Sequence, residues 1–198
     1  MPIINLFKKF KKSEENGYAR LCYREYPSDT LNFAICHKFD GSYESWERWV
    51  EGAREIFALI NVEPTNCSVG TVRKEPGLLK YKSLDRRIER AKREEDSINY
   101  IHFYVLPPDY TSLVFDVVVD MATMMWNHKP DVTYLRFNKS YISIDNLDAD
   151  KIIEILRKMV PEGNGEIFFM DNEECPMMYP SGLNSPDFYK TLEIVRCF

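Results

Sequence analysis

The spacing of apolar residues changes several times along the chain, and each change predicts an element. From Ser42 to Ile60, Trp46, Trp49, Val50, Ala53, Ile56, Phe57 and Ile60 recur every three or four positions, the period of a helix buried on one side. Ser42 stands where an N-cap is needed, and Glu44 lies in the first turn. Before this helix, Tyr18–Tyr26 and Leu31–Phe39 read as two strands joined across Pro27-Ser-Asp-Thr30. After it, Cys67–Val72 reads as a short strand in which Gly70 marks a bulge. Residues 83–96 carry only Leu84, Ile88 and Ala91 on an otherwise charged helix. Its arginines 86, 87, 90 and 93 alternate with acids, which favours a self-compensating surface over a phosphate grip.

The second half carries a denser pattern. Ile98–Leu106 is a strand closed by Pro107-Pro108. Over Ser112–Asn127 the polar residues Asp116, Asp120, Thr123 and Asn127 are spaced four, three and four, which predicts a nearly buried helix with one polar stripe. Val132–Phe137 and Ser140–Ile144 read as a hairpin turning at Asn138-Lys139. Asp148 caps a further helix with Leu147 and Ile152 as its hydrophobic staple, and Glu166–Met170 is a strand. Ser185-Pro186 opens a closing helix that carries Phe188, Leu192 and Val195.

The order β-α-β-β-α-β over about 98–171 is that of a ferredoxin-like unit. The predicted class is therefore α+β. A basic arm (1–17) precedes an N-terminal ββαβ half with its charged helix (18–97), and the ferredoxin-like half with a C-terminal extension follows (98–198). The alternative is one domain overall.

Composition narrows the function classes. The net charge is −5, but residues 1–12 hold four lysines and no acid, leaving 22 basic against 31 acidic residues, a net −9. Such a body repels nucleic acid and anionic membranes and attracts basic partners. In the arm, Ile3, Phe7 and Phe10 line one face opposite the lysines, too short a stretch for stable membrane association. Five scattered cysteines without a CxxC pair give neither a disulfide framework nor a zinc site. With no signal-peptide pattern at the start, the reading is a cytoplasmic protein.

The motifs that carry cofactor or hydrolase chemistry are missing: no GxGxxG, P-loop, GxSxG or HExxH occurs. No cofactor, no metal and no catalytic residue is predicted. Asp145-Asn-Leu-Asp148-Ala-Asp150 fails as a calcium loop, because glycine and glutamate are missing at its sixth and twelfth places. Asp116 and Asp120, one helical turn apart on the predicted helix, are two carboxylates without a third ligand. Cys36 and His37 are strand neighbours and point to opposite faces, so they form no thiolate pair. His128, past a predicted helix end, reads as a dipole partner.

Two surfaces remain. On the strand at 98–106, Ile101, Phe103 and Val105 face the helices, while Tyr100, His102 and Tyr104 face away, with Tyr134, Arg136 and Tyr141 joining them. Sheets that stack single-stranded RNA carry a glycine and alternating aromatics on their third strand, whereas Asn138–Asp145 has no glycine and only one aromatic. The second surface is the loop with Asp171, Glu173, Glu174, Met177, Met178 and Tyr179, which mixes acids with apolar side chains. The expectation is a non-enzymatic protein-binding protein whose partner is a basic protein and not nucleic acid. Its concrete form is an immunity protein that neutralises a nuclease-type bacterial toxin by stoichiometric binding, the partner being a toxin or effector domain. The alternative is a small-ligand or enzymatic module on the His102/Tyr104/Arg136 face.

Overall fold

The structure is a computed structural model that describes residues 29–125, 130–182 and 184–198. The predicted arm, the strand at Tyr18–Tyr26 and His128 lie outside the described residues. The described chain is α+β, with an eight-stranded antiparallel sheet and three helices. In chain order these are β1 (Thr30–His37), α1 (Tyr43–Leu59), β2 (Asn66–Thr71), β3 (Leu79–Lys80), α2 (Leu84–Arg93), β4 (Ile98–Val105), β5 (Val119–Met124), β6 (Asp131–Asn138), α3 (Ala149–Met159), β7 (Gly163–Met170) and β8 (Glu193–Cys197). The strands lie in the order β3-β2-β4-β5-β6-β1-β7-β8.

Every predicted helix signal between Ser42 and Met159 except one is used. The Ser42 side chain accepts from Ser45 N at 3.1 Å, and α1 buries Trp46, Trp49, Val50, Ala53, Ile56 and Phe57. α2 buries Leu84, Ile88 and Ala91, the stripe read from the sequence. Asp148 caps α3 by accepting from Lys151 N at 3.1 Å, and both staple residues are buried. The register of β2 against β4 shifts at Gly70/Thr71, where the bulge is expected.

The exception is Ser112–Asn127, whose described part, 112–125, forms a turn and then strand β5 rather than a helix. β5 is buried on both faces, so apolar residues occupy both parities and the period-two signal vanishes. Asp120 faces one side of the sheet, while Thr123 faces the other and satisfies its hydroxyl on Val132 O at 3.0 Å. Asp116, which completed the apparent helical spacing, belongs to the preceding turn. Asp116 and Asp120 therefore share no helical face.

Two further elements differ. Residues 140–144 form a turn in which Tyr141 N and Ile142 N donate back to Asn138 O. The closing helix is a single 3-10 turn at Pro186–Phe188, and the Ile194-Val195 pair enters edge strand β8 instead. The ferredoxin-like arrangement is not confirmed, because β5 replaces its first helix and β1 lies between β6 and β7, paired with both.

The main core lies between the sheet and the helices. Leu31, Phe33, Ile35, Ile101, Phe103, Met121, Leu135, Phe137, Ile167 and Phe169 meet the buried faces of α1, α2 and α3. α1 and α3 approach closely at Gly52, where a Cβ would strike the Met159 side chain. Gly52→Val should therefore destabilise the protein by about 1–3 kcal/mol through overpacking. A lowered urea midpoint with an unchanged slope would show it; an unchanged midpoint would mean that the helices separate freely.

Candidate functional site

The pleat and the strand register build the opposite face of the sheet row by row. One row runs Asn66, Tyr104, Asp120, Arg136, Asn32, Phe168, and the next runs Ser68, His102, Ala122, Tyr134, Ala34, Glu166. The predicted face residues Tyr100, His102, Tyr104, Tyr134 and Arg136 thus lie on one surface. Tyr141 does not join them, because its turn packs it against the main core. Asp120, read as part of a helix, is the member that the sequence analysis placed elsewhere. Its signal is visible in hindsight: an acid within an otherwise apolar Val117–Met121 run needs a buried partner.

Asp120 is the centre of the face. Its Oδ1 accepts from Arg136 Nε at 2.6 Å and its Oδ2 meets His102 Nε2 at 2.8 Å. His102 Nδ1 meets the Tyr100 hydroxyl at 2.5 Å, and the Tyr100 and Tyr104 hydroxyls are 3.4 Å apart. The Tyr104 ring stacks on His102 with 3.8 Å between centroids. Asp120, His102 and Arg136 are 1%, 4% and 4% exposed, so water reaches none of the three.

Burial pushes the Asp120 carboxyl up, but Arg136 and the His102 hydrogen bond outweigh it and hold the group below its usual value. Burial pushes His102 down against the pull of Asp120, leaving the ring neutral. The ionised carboxylate only accepts, so the neutral ring donates from Nε2–H and accepts the Tyr100 proton at Nδ1. Burial raises Tyr100 far above the ordinary tyrosine value, so it stays a phenol. The order Tyr-His-Asp is that of a nucleophile, base and orienting acid. Here the half-buried Tyr100 hydroxyl is engaged by His102 Nδ1, and His102 by the buried Asp120.

Arg136 extends the network to two loops. Its Nη1 donates to Val114 O at 2.9 Å and to Asn172 Oδ1 at 2.7 Å, and Asn172 Nδ2 donates to Phe115 O at 2.8 Å. The two surfaces predicted separately are thereby joined. In the 171–179 loop, Glu174 is an internal clasp that accepts from Lys190 N, Thr191 N and Thr191 Oγ1. Tyr179 donates to Glu166 at 2.8 Å and packs edge-on against Phe168. Asp171 N is held by Thr191 Oγ1; Met177 and Met178 are half-buried, and Glu173 is exposed. Tyr134 donates to Asn32 Oδ1 at 3.1 Å, and Asn32 in turn donates to Thr30 Oγ1 at 2.9 Å.

Among the described residues no group of three His, Cys, Asp or Glu side chains is placed to hold a metal ion. Asp116 bonds within its own turn and Asp148 caps α3. Cys36 bonds Pro180 O while His37 turns to Thr133, the opposite orientations expected for strand neighbours. Burial raises the Cys36 thiol and takes Cys67 to about 11, so neither is a ready thiolate. The arginines of α2 line a groove together with Glu75, Glu89 and Glu94, and Glu94 pairs with both Arg90 and Lys74. No helix among the described residues is long and apolar enough to cross a membrane.

No protein-family model matches the chain, and no curated protein matches its sequence. Among solved structures the chain is similar to the Pseudomonas aeruginosa T6SS protein PA0821. The TM-score is 0.50 at 13% sequence identity, over 85% of this chain and 50% of that one. The chain thus spans about half the length of that relative, and the likeness is one of fold.

The neutral histidines give a pH dependence. His37 is lowered to about 4, by burial against the opposing pull of Asp131. In the unfolded chain a histidine titrates near 6.5. Between about pH 6.5 and 4 the unfolded state therefore binds more protons than the folded state, and stability is lost as pH falls through that window. His37 alone should account for about 2 kcal/mol between pH 7.5 and 5, with His102 acting in the same direction. Urea midpoints at the two pH values check this; equal midpoints would mean that both rings are solvated.

Proposed function

We propose that the protein is a non-enzymatic binding protein, and that its role is to neutralise a bacterial toxin as an immunity protein does, by stoichiometric association. The observation that carries this reading is the closure of the polar sheet face. An active site needs its base and nucleophile within reach of a substrate. Here His102 and Asp120 are turned into one another and shielded, and Arg136 uses its donors on Asp120, Asn172 and Val114 O. The polar groups of the face serve to fix two loops.

Charge favours the same reading. Outside residues 1–12 the chain carries a net −9, which steers association with a basic protein. A nuclease-type toxin presents such a surface to its own polyanionic substrate. The likeness in fold to a protein described as a T6SS protein is compatible with a role linked to bacterial secretion.

The test is co-expression with the product of a toxin-type gene encoded beside this one. A 1:1 complex in size-exclusion chromatography, with loss of the toxin's activity at equimolar ratio, is the expected result. Separate elution of the two proteins, with undiminished toxin activity, would overturn the proposal.

A further inference from the structure

The turn between β4 and β5 carries four large apolar side chains at the surface. Tyr110, Leu113, Val114 and Phe115 are 38%, 38%, 41% and 46% exposed, the longest such run among the described residues. Exposed apolar side chains scattered singly are ordinary, whereas a contiguous group marks an interaction site. A floppy loop would lose much of its binding energy to ordering; this one is already ordered.

Three sets of bonds hold it. Asp116 Oδ2 accepts from Thr111 N, Thr111 Oγ1 and Ser112 N at 2.6–2.8 Å. Ser112 Oγ accepts from Val114 N at 3.1 Å and Phe115 N at 3.2 Å. From beneath, Arg136 and Asn172 take the carbonyls of Val114 and Phe115. The backbone of the turn is thus satisfied by its own half-exposed Asp116 and Ser112 and by the buried Arg136 and Asn172, while its apolar side chains are exposed.

The surroundings select the partner. The two segments that meet at this point, 107–118 and 171–179, contain Asp109, Asp116, Asp171, Glu173 and Glu174 and not one lysine or arginine. Asn172, flanked by Asp171 and the exposed Glu173, bonds the Phe115 carbonyl, which brings this acidic loop beside the apolar turn.

We infer that the Tyr110–Phe115 turn is the docking surface of this protein, inserting Leu113 and Phe115 into an apolar pocket rimmed by lysine and arginine on a basic protein partner. This rests on the binding reading above and names its surface. Aromatic and aliphatic anchors supply the affinity, and the acidic rim supplies the rate.

The experiment uses the full chain and the toxin-type neighbour product as probe. Affinity is measured for the native protein, Phe115→Asp, Leu113→Asp and the conservative Phe115→Leu, each with its thermal midpoint. The expected result is a loss of at least about 100-fold for each aspartate variant with the midpoint unchanged, because the side chains lie outside the core. Phe115→Leu should retain most of the affinity. Glu173→Lys should slow association by about tenfold at low salt, with the difference shrinking as salt rises. A native complex that both aspartate variants form equally well would overturn the docking surface and leave the binding function standing. No complex with the native protein would overturn the function itself. Concentration-dependent dimers of the native chain abolished by Phe115→Asp would assign the surface to a second copy and overturn the heterologous partner.

Discussion

Asp120→Ala should remove about 3–5 kcal/mol of folding stability, a large share of the roughly 5–15 kcal/mol available to a domain. The reason is the charge it leaves behind. Arg136 is buried beside it; burial pushes its guanidinium down, but the attraction and hydrogen bond of Asp120, together with Tyr134 and Cys175, outweigh that and hold it above the usual value. Without the carboxylate the guanidinium stands unpaired in a dry environment. His102 loses the acceptor for Nε2–H in the same step. Arg136 also leaves its place under Val114 O, so the apolar turn loosens together with the core. Asp120→Asn should fall between the two, since an amide oxygen still accepts but carries no charge. Replacing Asp120, Arg136 and His102 together by apolar residues of similar volume should restore much of the stability, because a satisfied apolar core competes well with a buried ion network. Chemical denaturation at pH 7.5 decides; an Asp120→Ala midpoint equal to that of the native protein would mean that water already solvates the group.

The second large effect belongs to the other face of the sheet. Trp49→Ala should cost about 3–5 kcal/mol, the range for deleting a buried aromatic. Trp49 is fully buried at the centre of α1, and its ring meets Phe103 edge-on at 5.6 Å. Its Nε1 donates to Thr133 Oγ1 at 3.2 Å, a hydroxyl that also meets His37 Nε2 at 3.0 Å and donates to Thr123 Oγ1 at 2.9 Å. The substitution thus opens a cavity beneath the helix and strips a donor from a buried chain of hydroxyls. Trp49→Phe should cost less, since it keeps most of the volume. Circular dichroism during urea unfolding reports the loss without relying on the deleted fluorophore. A change below about 1 kcal/mol would mean that the site collapses on the gap.

These two positions also show which parts of the molecule were legible in sequence. Trp49 was readable because α1 buries one side only, so its apolar residues keep a clean helical period. The stripe of α2 and the Asp148 cap followed from equally local signals. On β4, alternation assigned Tyr100, His102 and Tyr104 to one face correctly. Asp120 was misplaced because β5 is covered on both faces and loses its alternation. An acid in such a strand is explained by Arg136, sixteen residues away, and not by its neighbours. β8 was missed for a different reason: the Ser185-Pro186 signal starts a helical turn, but pairing with β7 decides the state of Ile194 and Val195. The position of β1 between β6 and β7 is likewise set by long-range pairing, which no local period encodes. The joining of the 171–179 loop to the sheet face depended on Asn172, a residue with no distinguishing pattern around it.

The central proposal is that the polar sheet face is closed, with His102 held against Asp120 and Tyr100 while Arg136 and Asn172 brace the binding turn. The most direct measurement is an NMR titration of the His102 ring nitrogens in the folded protein. The account predicts a neutral ring protonated at Nε2, with a slowly exchanging proton bonded to Asp120 and no titration from pH 8 down to the onset of acid unfolding. A His102 that titrates near 6.5 with a rapidly exchanging proton would contradict it, and would place an open, reactive imidazole on this face.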